Sequence, residues 1–151
     1  ADLDRAGEPY AFLYGFNRGL TENGVYEYLL YITDKNMPED NSIAPYSKGY
    51  AINIFCSEEA VIDADNWVNI PLGTYTCDLT GTHAAGTFCG ERDCSYHVKH
   101  DGGEHALAYF LSEGVVNITA DGIEIDAVFG GNRHHVRYSG EPRFQDRTIA
   151  K

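Results

Sequence analysis

The sequence predicts an all-β domain of eight to ten antiparallel strands, arranged as a meander barrel or, alternatively, a two-layer β-sandwich. Three observations predict it. Apolar and polar residues alternate with a period of two through most of the chain. Gly, Pro, Asn and Asp interrupt the alternating runs at short intervals, as turn residues do. No segment keeps a helical period for more than two turns, so the crossover helices that a parallel sheet requires are missing. A length of 151 residues fits one domain spanning 1–151 and leaves little room for two.

Residues 10–16 form an aromatic run that breaks at Asn17-Arg18-Gly19. Residues 25–33 place Tyr26, Tyr28, Leu30 and Ile32 on one face and Val25, Glu27, Leu29 and Tyr31 on the other. Residues 34–46 read as a loop with two prolines. In 50–56, Tyr50, Ile52, Ile54 and Cys56 share a face, with Ala51, Asn53 and Phe55 outward. The stretch 57–69 opens like a short helix at Glu58-Glu59-Ala60, which 63–66 ends quickly. Pro71-Leu72-Gly73 is a turn into a strand over 74–79. Strands over 86–90 and 95–99 flank the cysteine turn, and 100–104 is a loop with a Gly pair. Three further strands cover 106–111, 114–120 and 123–129. Asp121-Gly122 supplies a two-residue hairpin turn between the last two. Residues 134–144 close the pattern, with His134, Val136 and Tyr138 alternating against His135 and Arg137. Short sequential hairpins favour the meander barrel over the sandwich.

Eleven Lys plus Arg against 23 Asp plus Glu give a net charge of −12. That balance argues against nucleic acid and against anionic lipid as partners, because both need positive charge. No run is apolar enough for a transmembrane segment. The chain opens on a polar run without an initiator Met. It therefore reads as a mature or trimmed chain, from which a signal or lipoprotein segment has been removed. Four cysteines, Cys56, Cys77, Cys89 and Cys94, allow three disulfide connectivities. Cys89 with Cys94 would close a short loop, contributing roughly 2 kcal/mol. Cys56 with Cys77 would cross a sheet. Neither pair has the spacing of a zinc knuckle.

Three motifs occur in a fixed order: Pro71-Leu72-Gly73-Thr74-Tyr75, then Gly114-Val115-Val116-Asn117-Ile118, then Gly122-Ile123-Glu124-Ile125 followed by Tyr138-Ser139-Gly140. In this order they resemble those of a group of uncharacterised calycin-like β-barrel proteins of gut Bacteroidetes, secreted or lipid-anchored. The resemblance implies a lipocalin-like barrel and an extracytoplasmic location: periplasmic, outer-membrane-anchored or secreted. It transfers no catalytic role to any residue.

Candidate sites come from residue chemistry. Tyr10, Tyr14, Tyr26, Tyr28, Tyr31 and Tyr50 gather in the first third beside Phe12 and Phe16, and aromatic faces can stack on sugars or peptides. Sheet propensity and core filling explain the same tyrosines without a ligand. Arg133 and Arg137 flank His134-His135 in a locally basic strand that could take a carboxylate or sulfate. His97, His100 and His105 with nearby acids suggest a transition-metal site, although 97 and 100 point to opposite faces of a strand. Asp63-Ala64-Asp65-Asn66 opens like a calcium loop but lacks its central Gly and closing Glu. No nucleophile elbow, zinc-protease motif or phosphate loop occurs, and no cofactor is expected. The leading reading is therefore a non-enzymatic binding domain for a glycan, peptide or small ligand. A structural module of a cell-surface assembly comes next, and a metal-assisted hydrolase last.

Overall fold

The computed structural model describes residues 2–4, 9–10, 12–34, 48–90, 95–100 and 106–145. Its strands are β1 (Asp2–Asp4), β2 (Pro9–Tyr10), β3 (Phe12–Leu20), β4 (Tyr26–Thr33), β5 (Lys48–Cys56), β6 (Val61–Ile62) and β7 (Trp67–Asn69). They continue as β8 (Gly73–Asp78), β9 (Thr87–Cys89), β10 (Tyr96–His100), β11 (Ala106–Thr119), β12 (Gly122–Phe129), β13 (Asn132–Ser139) and β14 (Arg143–Gln145). The all-β class is as the alternation predicts. Among the described residues none is helical, and no helix is long and apolar enough to cross a membrane.

Five strands close on themselves. β5 pairs with β9, β9 with β8, β8 with β11, β11 with β10, and β10 with β5 again. β4 and β3 extend this small barrel from β5, while β12, β13 and β1 extend it from β11. The simple meander barrel is thereby corrected to a closed five-strand barrel of mixed order with further strands attached. The reason is local. β9 is only three residues long, yet it inserts between β5 and β8 and runs parallel to β8. β11, at 14 residues, pairs on one edge with β10 along its first part and β8 along its last, and on the other with β12. The expected strands over 106–111 and 114–120 are thus one, carrying a register shift between Leu111 and Glu113.

The inward faces follow the predicted parity. Tyr28, Leu30 and Ile32, then Tyr50, Ile52 and Ile54, then Ile123, Ile125, Ala127 and Phe129 all join one core with Phe88, Val116 and Val136. Burying each such side chain contributes about 1.5–3 kcal/mol. The interior of the sheet is therefore filled with packed side chains. Phe144 of β14 completes it. Its ring lies edge-on to Tyr28, and a Cβ on Gly15 would stand 2.4 Å from its Cγ. Only a glycine in β3 leaves room for that ring.

Residues 57–69 form no helix but the small β6–β7 hairpin, which joins β14 in a second sheet. The Asp63 carboxylate accepts the backbone N–H groups of Asp65 and Trp67, both at 3.0 Å, and closes the turn that the apparent helix start conceals. The β11–β12 turn is Ala120-Asp121, one residue earlier than predicted, since Thr119 pairs with Gly122. Gly122 answers a close approach instead, because a Cβ there would stand 2.1 Å from the Tyr138 carbonyl oxygen.

The disulfide expectation is overturned for the cross-sheet pair, since Cys56 and Cys77 are free thiols. Cys56 sits in the core, where its Sγ is 3.3 Å from the Tyr75 hydroxyl and burial pushes its thiol up from the ordinary value. The expected Cys89–Cys94 pairing involves residue 94, which lies outside the described residues.

Candidate ligand face on the outer sheet

The tyrosines of the first strands do not share one face. Tyr28 and Tyr50 are wholly buried and Tyr26 packs partly against the core. Tyr14 and Tyr31 face outward, opposite one another across β3 and β4. Strand register then extends their row: Tyr31 stands opposite Ala51, Ala51 opposite Tyr96, and Tyr96 opposite Phe110. Four aromatic residues and one alanine thus cross five strands in a single line. Phe12 stacks parallel to Tyr14 with centroids 6.4 Å apart. Phe16 meets Tyr31 edge-on at 5.6 Å, and Tyr96 meets Phe110 edge-on at 6.2 Å.

Ala51 is fully buried although it points outward. Tyr31 and Tyr96 flank it. Burial first, then the neighbouring Tyr96 hydroxyl, raises the Tyr31 phenol above its ordinary value, while Arg18 pulls it back. Phe110 ends the row 43% exposed. Sequence reasoning missed Tyr96 and Phe110 because only the β5–β10–β11 register places them beside Tyr31.

The row gives way to polar residues toward the β3–β4 turn. Asn53, opposite Leu29, donates from its amide to Glu27 Oε2 at 2.9 Å. Beyond it lies an open surface cavity of about 370 Å³ lined by Arg18, Leu20, Glu22, Asn23, Glu27 and His83. Two loops build its walls. The Asp78 carboxylate accepts five hydrogen bonds, from the N–H and hydroxyl of Thr80 and of Thr82 and from the His83 N–H, at 2.6–3.2 Å. These donors, the Thr80 hydroxyl first, hold its acid well below the usual carboxylate range. His83 is thereby fixed at a φ of +52°, its ring stacked on Phe55 at 4.5 Å. Asn23 ties the β3–β4 turn to this loop by donating to the Thr82 carbonyl at 2.8 Å.

The predicted histidines are placed differently. His97 belongs to β10. It is 3% exposed inside the barrel, where its Nδ1–H donates to the Gly49 carbonyl at 2.9 Å. His134, fully buried, shares a hydrogen bond of 2.5 Å with the Tyr50 hydroxyl, and the two imidazoles lie 4.8 Å apart. His100 belongs to β10, its side chain outside the description, and His105 and the Tyr10 side chain are likewise outside the described residues. Among the described residues, no three His, Cys, Asp or Glu side chains converge as a metal site would need. Asp63, beyond its turn, lies 3.7 Å from Arg143, and nothing brings Asp65 to a shared centre with it.

Arg133 is held by Asp126 at 2.7 Å and Glu113 at 3.4 Å, so its guanidinium is already engaged. Arg137 stands opposite Glu124 and lines two grooves with Asn117 on the outer face of β11, β12 and β13. No family model, curated protein or solved structure matches this chain.

Proposed function

We propose that the protein is an extracytoplasmic binding domain without catalysis of its own, and that its ligand, a glycan or peptide, lies along the outer aromatic row. The carrying observation is the single register line Tyr14–Tyr31–Ala51–Tyr96–Phe110. A packed barrel interior directs the search to the outside, where this row crosses five strands. The location outside the cytoplasm draws on the motif resemblance, as does a calycin-like ancestry. Each aromatic contact contributes about 0.5–1.5 kcal/mol beyond its buried area. Three or four of them support dissociation constants from roughly millimolar to tens of micromolar, the range of ligands gathered by repetition more than by one deep pocket.

Binding to an immobilised panel of glycans and peptides tests the reading. Wild-type protein should retain at least one class, and the Tyr31→Ala/Tyr96→Ala double variant should lose it while keeping the circular dichroism spectrum of the folded protein. Equal retention of wild type and variant would contradict the reading.

A further inference from the structure

The cavity beside the row carries the inference further, to the chemistry of the ligand; this step rests on the reading that the outer row is the binding face. On the outer face the register lines run in order. The aromatic line is followed by Phe16, Leu29 and Asn53, and then by Gly19, Glu27 and Phe55. The aromatic row therefore leads directly to the cavity holding Arg18, Glu27 and His83.

Three kinds of ligand are distinguished by charge. An anionic group would meet Arg18, but Glu22 and Glu27 line the same cavity and the chain carries a net −12. A cationic group would meet those acids, but it would also meet the guanidinium of Arg18, which has no acidic partner among the described residues. A neutral polyol satisfies both. A sugar hydroxyl donates and accepts at once, so it can accept from Arg18 while donating to Glu27. Glu27 is preset for this: Asn53 holds Oε2, orienting the carboxylate and leaving Oε1 for a ligand. Charge-assisted bonds of this kind are the strong ones in a solvated site.

We infer that the protein binds a neutral oligosaccharide, with one sugar unit in the Arg18–Glu27 cavity and the following units along Phe16, Tyr31 and Tyr96. Titration calorimetry with cellohexaose, xylohexaose and mannohexaose tests this, beside a galacturonic acid hexamer and a lysine-rich peptide as charged controls. At least one neutral hexasaccharide should bind, and Glu27→Gln and Arg18→Ala should each weaken it about ten-fold. Both residues are solvent-accessible, and their thermal transitions should stay at the wild-type value. Binding of the acidic hexamer or the basic peptide alone, lost in Tyr31→Ala/Tyr96→Ala, would overturn the neutral-saccharide inference and leave the binding face standing. Neutral binding unaffected by Glu27→Gln and Arg18→Ala would overturn the role of the cavity. No binding by any of the five probes would overturn the inference.

Discussion

Ala51 is the smallest residue in the outer row and the one on which its geometry depends. A larger side chain there would push apart Tyr31 and Tyr96, which flank it from β4 and β10. Tyr31→Phe removes only the half-buried phenol oxygen and should change stability by no more than about 1 kcal/mol in urea unfolding. The same variant has a pH signature. The folded-state phenol is raised, so its contribution is full below the unfolded value near 10 and falls as pH rises beyond it. Between about pH 9 and about pH 11 wild type should lose more stability than Tyr31→Phe. Asp78 behaves in the opposite sense. Its folded acid is depressed, so its contribution is present above the ordinary Asp value and is lost only as pH falls well below it. The stability gap between wild type and Asp78→Asn should therefore be constant near neutrality and shrink between about pH 5 and about pH 2, measured by chemical denaturation.

At the scale of elements, β14 and β12 show how short segments hold larger ones. β14 is three residues long, yet Phe144 fills the space above Gly15 and against Tyr28. Phe144→Ala should cost about 3–5 kcal/mol, and calorimetry should show a lowered transition without a second one. Gly122→Ala drives a methyl into the Tyr138 backbone and should also destabilise, although Gly122 is not in the turn itself. Parity within a strand was legible from sequence: 28, 30 and 32, then 50, 52 and 54, then 123, 125, 127 and 129 all turn inward as their alternation requires. What alternation cannot express is which strand lies beside which. β9 and β10 read as consecutive hairpin arms around the cysteine turn, but each pairs separately with β5. The same limit hid Tyr96 and Phe110, which are distant from Tyr31 in sequence and adjacent to it only through β5. His97 was similarly misjudged, because a histidine near a Gly-rich loop carries no local mark of its burial against Tyr50.

At the scale of the whole molecule, the closed barrel and its attached strands give two outer surfaces of different chemistry. One side presents Arg133, Asp126 and Glu113, whose charges are engaged with one another. The other presents the aromatic row and the cavity at its end. At that end Arg18 stands beside Glu22 and Glu27, the charges to which the proposed neutral ligand is matched. The most direct test of that division is backbone nitrogen–proton correlation spectroscopy during titration with the neutral hexasaccharides. Shifts confined to the outer row and to the β3–β4 turn around Arg18 and Glu27 are predicted. Shifts confined to the Asn117–Glu124–Arg137 grooves, or a spectrum that does not change, would contradict the account.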